Sequence, residues 1–310
     1  MDKQATREAY GKALVELGKL HDDIVVLDAD LSKSTKTADF AKVFPERFIN
    51  AGIAEQNMIG MAAGLAAAGK VVFASTFAIF AAGRAFEQIR NSLAYANLNV
   101  KVCATHSGIT VGEDGGSHQA VEDIALMRSI PNLTVVVPAD GISTRLALSQ
   151  LYKRQGPAYL RLGRSAVPVI YQDTQDFTIG RGIELRDGKD ATIIACGTAV
   201  ALALEAADIL AAQGIHISVV DMHTIKPLDT DLIIRKAKET GVIITVEEHS
   251  IIGGLGSAVC ETVSENCPVI VNRIGINDIF GQSGKPDELM EHYGITTDNI
   301  IQKITNLVRK

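Results

Sequence analysis

The chain has 310 residues, of which 47% are hydrophobic, 21% are charged and 5% are aromatic, as is typical of a globular protein with about two domains. Its formal net charge of −6 and pI near 5.7 argue against a main function in binding nucleic-acid phosphates. The N-terminal stretch lacks the basic and apolar regions of a signal peptide, and no apolar run reaches the roughly 18–20 residues of a membrane span, so we expect a cytoplasmic protein.

Short β-branched segments alternate with Ala- and Leu-rich segments through the first half of the chain. The pattern predicts strands at 23–30, 70–75, 99–107 and 133–140, a helix over 6–20, and helices that begin near Ile53, Ala78, Ala120 and Gly141. Near-continuous apolar strands separated by helices indicate an α/β fold with a doubly wound parallel sheet, covered on both faces.

A second series of the same kind follows. The pattern predicts strands at 191–197, 216–225 and 241–249, and a helix over 198–214 that ends at a glycine. The segment between the two series is rich in turn formers and charge and has no helical periodicity. We therefore predict a first domain at 1–175, a linker at 176–189 and a smaller α/β domain at 190–310.

A Gly-rich loop (residues 105–119, THSGITVGEDGGSHQ) follows the third predicted strand and contains His106, Glu113, Asp114 and His118. Such side chains can bind a metal, although the spacing does not match a usual zinc pattern. They can also lie in a surface loop without a function. The third reading is a cleft for a polar substrate, where imidazoles handle hydroxyl protons. Ligands bind at the carboxyl ends of strands in this architecture, which favours the cleft.

Two other stretches are ambiguous. Phe77 and Phe80 are three residues apart, so on a helical turn they lie on the same face. Such a pair either packs in the hydrophobic core or stacks against a planar heterocycle. The stretch Ile252–Val259 resembles a nucleotide-binding glycine loop, but Val259 stands where the third glycine would be. We read it as a tight loop that starts a helix.

Glu55 is the only charged residue in the stretch from Ile53 to Ala68, which is rich in Ala, Gly and Met. A carboxylate in the first turn of a helix gains about 0.3–1 kcal/mol from the helix dipole. Alternatively, apolar surroundings favour the protonated form of a carboxyl group, which can then share a proton with a ring nitrogen. The residues alone leave both readings open. We expect the small residues to let this helix lie close to the sheet.

These stretches, with DMHTIKPLD (221–229) and TVEEHSIIGGLGSA (245–258), resemble the thiamine-diphosphate-dependent transketolase family. More narrowly, nearly the whole chain resembles the C-terminal subunit of a split transketolase. The resemblance implies a pyrimidine-binding domain followed by a transketolase C-terminal domain. The 2-oxo acid dehydrogenase β-subunits and 1-deoxy-D-xylulose-5-phosphate synthase share this plan and remain alternatives, because the fold does not decide between them.

The resemblance implies a cofactor half-site. Glu55 would hydrogen-bond the aminopyrimidine ring of thiamine diphosphate, and Phe77 and Phe80 would form the aromatic wall beside it. Asp30 would lie close to the cofactor. Gly83 departs from the pattern, because many transketolases have a third aromatic residue there.

The resemblance also implies a sugar-phosphate site. Arg7, Ser34 and Arg164 would contact phosphate, and guanidinium groups suit phosphate oxygens. We call these three residues the phosphate clamp. The catalytic histidines His106 and His118 would face the ketose oxygens, while Asp114 would contact a neighbouring hydroxyl. The phosphate clamp favours transketolase over the two alternatives.

One expected part is missing, because no GDG segment for the Mg²⁺-bound diphosphate occurs in the chain. The resemblance therefore implies a separate N-terminal subunit that binds Mg²⁺ and the diphosphate, in an α2β2 assembly with a homodimeric core. The expected activity is the ketol transfer of the pentose phosphate pathway, with a C-terminal domain that mainly stabilises the assembly. A degenerate, non-enzymatic scaffold is the remaining hypothesis, and the intact set of polar site residues argues against it.

Overall fold

The computed structural model describes residues 2–308, and within them the strands form a seven-stranded, a five-stranded and a two-stranded sheet. The α/β class and the parallel sheet of the first half are thus confirmed. In chain order the strands are β1 (Lys3–Ala5), β2 (Ile24–Asp28), β3 (Phe48–Asn50), β4 (Val71–Phe77), β5 (Val100–Thr105), β6 (Thr134–Val136), β7 (Ala158–Arg161), β8 (Ala166–Pro168), β9 (Ile183–Arg186), β10 (Ala191–Ala195), β11 (Ile217–Asp221), β12 (Thr224–Lys226), β13 (Val242–Ser250) and β14 (Ile270–Ile276).

Helices connect most of these strands. They are α1 (Thr6–Leu20), α2 (Ser32–Thr35), α3 (Ala38–Val43), α4 (Glu55–Ala67), α5 (Phe86–Gln88), α6 (Asp123–Arg128), α7 (Gly141–Lys153), α8 (Ala199–Ala212), α9 (Thr230–Thr240), α10 (Leu255–Asn266), α11 (Pro286–His292) and α12 (Thr297–Val308), with 3₁₀ turns at Pro45–Arg47 and Ile109–Asp114 and π-helical turns at Phe80–Arg84 and Ile89–Tyr95. The helix predicted from Ala78 is thus largely π-helical, a geometry often found at functional sites. In the described part of the chain, no helix has the length and apolar character needed to cross a membrane.

The seven-stranded sheet has the order β12-β6-β7-β5-β4-β2-β3. Its strands pair in parallel except β12, which pairs antiparallel with β6 at one edge. Every residue of β2, β4 and β5 is buried, as expected for strands covered on both faces. The carboxyl ends of β2, β4 and β5 therefore lie side by side at one edge of this sheet.

The second sheet has the order β14-β13-β10-β11-β9, with β9 antiparallel at its edge. β9 lies inside the predicted linker 176–189, whereas β12, from the predicted domain 190–310, belongs to the first sheet. One hydrophobic core contains both Met58 and Ile225, so the two halves share buried surface. The boundaries 1–175, 176–189 and 190–310 stay a prediction, and residues 1, 309 and 310 lie outside the described residues.

α1 has the predicted bounds and positions one part of the sheet edge. β1 pairs with β8 immediately before α1 begins. The Thr6 hydroxyl accepts a hydrogen bond from the Gly163 amide at 2.7 Å, and the Arg7 Nε donates to the Arg164 carbonyl at 3.3 Å. These contacts fix the first turn of α1 against the segment that follows β7.

α4 meets only in part the expectation that its small residues lie close to the sheet. Met58, Ile59 and Ala62 form its buried stripe. Gly60 and Gly64 face away from the sheet, with nothing within 4 Å of where a Cβ would lie. The expectation was therefore wrong for the two glycines, which lie four residues apart on the opposite side of the helix from the buried stripe, whereas the small residue Ala62 lies within that stripe.

Candidate active site

Glu55, the first residue of α4, is buried with only 5% of its surface exposed. Its Oε1 accepts a hydrogen bond from Arg84 Nη1 at 3.2 Å. The Arg84 guanidinium also lies over the Phe80 ring, 4.0 Å from the ring centroid. Solvent screens this ion pair, since the Arg84 side chain is 53% exposed. The surroundings of Glu55 are thus not purely apolar, and sequence reasoning missed Arg84, whose one signal is its place a helical turn after Phe80.

Four aromatic rings adjoin one another at the ends of β4 and β5. Phe77, the last residue of β4, stacks on His106 with ring centroids 3.8 Å apart. Phe77 and Phe80 lie nearly parallel, with centroids 5.7 Å apart and an angle of 14°, and His118 meets Phe80 edge-on at 5.5 Å. Gly83 has nothing within 4 Å of where a Cβ would lie. The two Phe residues thus form a wall that is open beside Gly83.

His106 is held in an unusual backbone conformation, since its φ of 55° lies in the left-handed region. His106 is 3% exposed, and its Nδ1 lies 2.9 Å from the Thr105 hydroxyl, within hydrogen-bond distance. Burial, with smaller contributions from Arg7, Arg164 and His118, lowers the pKa of His106 to about 3. The ring is therefore neutral at physiological pH, and the interactions open to it are hydrogen bonds rather than ion pairs.

The structure brings the phosphate clamp together. The Arg7 Nη1 donates to the Ser34 carbonyl at 2.8 Å, and its Nε binds the Arg164 carbonyl, as described above. Burial is the main cause that lowers the pKa of Arg7, and the nearby Arg164 charge adds to it. The two guanidinium groups therefore repel each other, and an anion between them would be stabilised.

The Gly-rich loop supplies two carboxylates on the other side of Arg164. The Arg164 Nη1 lies 3.5 Å from Asp114 Oδ2 and 4.0 Å from Glu113 Oε2, and it also donates to the Val111 carbonyl. Across residues 2–308, no group of three or more His, Cys, Asp or Glu side chains is placed to hold a metal ion. Arg164 thus balances part of the charge of these two carboxylates. His118 is half-buried, with Nδ1 3.0 Å from the Ser117 hydroxyl.

Asp30 follows β2 at the same sheet edge and is exposed, with a φ of 64°. Its amide donates to Asn50 Oδ1, and Asn50 Nδ2 donates to Asp30 Oδ1, both at 3.1 Å. Sequence reasoning missed the neighbouring Asp28, which is fully buried and accepts the hydroxyls of Thr35 and Thr37 at 2.7 and 2.9 Å. Asp28 thereby shapes the turn that presents Ser34. Its only signal in the sequence is its position at the end of a strand.

Comparison with known families gives two matches along the chain. The model of the transketolase pyrimidine-binding domain matches residues 2–169, and the model of the transketolase C-terminal domain matches residues 180–300. Together they cover most of the sequence. The site described above lies in the first matched region.

Curated relatives of similar length carry related names. A protein named as a putative transketolase C-terminal section, from Methanocaldococcus jannaschii, is 54% identical over 98% of this chain and 96% of its own length. A 6-deoxy-6-sulfo-D-fructose transketolase subunit from a Clostridium species is 43% identical over 97% of this chain and 94% of its own. A subunit of apulose-4-phosphate transketolase from Phocaeicola vulgatus is 42% identical, with 99% and 98% covered.

Two solved structures show the same architecture. A split-gene transketolase, described as an inactive β4 tetramer, superposes with a TM-score of 0.91 at 54% identity, with 99% of both chains covered. Transketolase from Campylobacter jejuni gives a TM-score of 0.84 at 27% identity. The match covers 98% of this chain but 47% of that enzyme. The chain therefore spans about half the length of that relative.

Proposed function

Because the chain belongs to the transketolase family, which depends on thiamine diphosphate, we propose that it is the C-terminal subunit of a two-chain transketolase. In this proposal, the assembled enzyme transfers a two-carbon ketol group from a ketose phosphate to an aldose phosphate. The observation that carries the proposal is the convergence of the phosphate clamp and His106 beside the wall formed by Phe77 and Phe80. An anion site next to an aromatic wall suits a phosphorylated substrate beside a planar cofactor.

The residues present fit the pyrimidine half of thiamine diphosphate. Phe77 and Phe80 offer a nearly parallel pair of rings, and Glu55 offers a buried carboxylate linked to Phe80 through Arg84. Arg84 binds Oε1 of Glu55, so we assign Oε2 to the ring nitrogen. When bound, the cofactor supplies the carbanion chemistry, while the protein orients it and holds its protons. Asp30, at the end of β2, is proposed to lie close to the cofactor.

The chain's own residues would orient the sugar phosphate. The clamp arginines would bind the phosphate, and Arg164 is already held in place by the Val111 carbonyl and Asp114. A preformed clamp loses little entropy on binding. His106, neutral because of burial, would hydrogen-bond a ketose oxygen, and His118 would move or stabilise a proton on the adjacent oxygen. Asp114 would contact a neighbouring hydroxyl.

A second subunit would complete the site. We propose that an N-terminal subunit binds Mg²⁺ and the diphosphate, in an α2β2 assembly with a homodimeric core. The similarity to relatives named as subunits or sections supports this. The exposed glycines Gly60 and Gly64, on the same helix as Glu55, are also suited to close approach by another chain.

The direct test combines the chain with its N-terminal subunit, thiamine diphosphate and Mg²⁺. We expect ketol transfer from xylulose 5-phosphate to ribose 5-phosphate, and Glu55→Gln should lower kcat by about 10²–10⁴-fold because a proton-handling group is lost. The matched control Glu16→Gln, on the exposed side of α1, should leave kcat unchanged. Full activity in Glu55→Gln would refute the assignment of this residue.

The same mixture separates the alternatives. Release of CO₂ from pyruvate would favour a 1-deoxy-D-xylulose-5-phosphate synthase-like subunit or a 2-oxo acid dehydrogenase β-subunit. No turnover by a correctly assembled complex would favour the scaffold. The named substrates of two relatives, a sulfonated fructose and apulose 4-phosphate, favour a second candidate in which the clamp binds another oxyanion. A 6-sulfonated ketose tested as donor beside xylulose 5-phosphate would identify it.

A further inference from the structure

A buried carboxylate from the second half of the chain reaches the Gly-rich loop. Glu248, near the end of β13, is 4% exposed. Its Oε1 accepts the backbone amide of Thr110 at 2.6 Å, and its Oε2 accepts the hydroxyl of Thr198, which precedes α8, at 2.9 Å. Glu248 thus ties this loop to the second sheet.

The loop requires support of this kind. His106, Gly108, Gly112 and Gly115 all have positive φ values, so the loop cannot be stabilised by a continuous helix or strand. A Cβ on Gly108 would lie 2.2 Å from Glu248 Oε1. Glycine is therefore needed for the carboxylate to reach the backbone at this point.

The hydrogen bond from the Thr110 amide to Glu248 affects the phosphate clamp through the backbone of the loop. The Thr110 carbonyl accepts the Ser165 hydroxyl at 3.0 Å. The next carbonyl, that of Val111, accepts a hydrogen bond from Arg164. The Thr110 amide, which Glu248 binds, is thus within one residue of the two carbonyl groups that bind Ser165 and Arg164.

We propose that Glu248 is a positioning residue, which fixes the Gly-rich loop so that Arg164 and His106 lie in the geometry that binds substrate. The second half of the chain therefore shapes the substrate site, beyond the stabilising role expected for it. This inference rests on the proposed function, because it assumes that the loop binds the sugar phosphate.

The neighbouring residue provides a matched control. Glu247 is 1% exposed, and its carboxylate accepts the amides of Leu255 and Gly256 at the start of α10, both at 2.7 Å. Glu247 and Glu248 are thus adjacent, buried and bonded to backbone amides. Glu247 binds the start of α10, whereas Glu248 binds the Gly-rich loop. Only substitutions of Glu248 should therefore affect the substrate site.

Hydrogen exchange by mass spectrometry on the isolated chain tests the positioning without turnover. Glu248→Ala should speed exchange in residues 107–112, whereas Glu247→Ala should speed it in 254–258. Glu248→Gln should retain most of the protection, because its amide can accept from Thr110 and donate to Thr198. If Glu248→Ala does not fold, Thr198→Val, which removes the contact to Oε2, should give the same pattern more weakly. Unchanged exchange in 107–112 would overturn the proposal.

Kinetics of the two-chain complex give the second readout. Glu248→Ala should raise KM for the ketose phosphate by about 10- to 100-fold, as expected for a small misplacement of binding groups. Glu248→Gln should recover most of this loss, and Glu247→Ala should leave KM near the wild-type value. Equal KM changes in Glu247→Ala and Glu248→Ala would refute the positioning role. If the wild-type complex has no activity while the exchange pattern holds, the proposed function fails and the structural link stands.

Discussion

The neutral state of His106 makes the stability of the chain dependent on pH in a defined direction. Burial beside Arg7 and Arg164 lowers its pKa from 6.5 to about 3. Between about pH 3 and pH 6.5, His106 therefore binds a proton in the unfolded chain but not in the folded chain. Stability contributed by the neutral ring is fully present above pH 6.5 and is lost as the pH falls toward 3.

The size of the effect follows from the two pKa values. Between pH 7 and pH 5, the free energy of unfolding should fall by about 2 kcal/mol on account of His106 alone. We propose urea unfolding of wild type and His106→Asn at both pH values, since asparagine accepts a positive φ. Wild type should lose about 2 kcal/mol more than the variant between the two conditions.

Two results would refute this reasoning. One is an equal loss of stability in wild type and His106→Asn, which would mean that the ring becomes charged without penalty in the folded state. The other is an imidazole resonance of His106 that titrates near pH 6.5 by NMR. His292→Asn, at an exposed position on α11, is the control and should show the wild-type pH dependence.

Three further predictions concern single positions. Asp28→Ala should lower the free energy of unfolding in urea by about 1–3 kcal/mol, because buried hydroxyl and amide donors lose their acceptor. A urea-unfolding midpoint equal to that of wild type would contradict this. Burial lowers the pKa of the fully buried Lys101 to about 7. The cost in folding free energy of burying its charged amine is therefore greatest below pH 7, and this cost falls as the pH rises toward 10.5. Wild type should therefore gain about 2 kcal/mol relative to Lys101→Met between pH 7 and pH 9 in urea unfolding, and a constant difference would disprove the shift. Gly60→Ala and Gly64→Ala should each stabilise the isolated chain by about 0.5–1 kcal/mol in thermal melts. Each should also weaken binding to the proposed N-terminal subunit, measured by titration calorimetry, and unchanged affinity would show that this face of α4 stays free.

Local patterns in the sequence predicted much of the fold. The apolar strands and the helix over 6–20 follow from residue spacing, and polar residues mark the carboxyl ends of β2 and β5. Family resemblance, now confirmed by the matched domains, supplied the proposed roles of Glu55 and Phe77. These roles stay predictions until the variants are measured.

The residues that sequence reasoning missed depend on contacts between distant segments. Arg84 and Glu55 are 29 positions apart, and Glu248 and Thr110 are 138 apart. Neither pair carries a periodic or spacing signal, because each is created only when separate elements pack together. β12 was similarly not recognised, because it overlaps the end of the longer strand predicted at 216–225 and its partner strand belongs to the other half of the chain.

The placement of β12 has a consequence for dissecting the molecule. Cutting the chain near residue 176 would separate the two sheets but also remove the strand that closes the edge at β6. The N-terminal fragment would then present a bare row of amides and carbonyls, a template on which another molecule can add a strand. Fragments made at this position are therefore expected to self-associate or exchange strands, and a soluble first unit would need residues 224–226 supplied as a peptide or grafted in place.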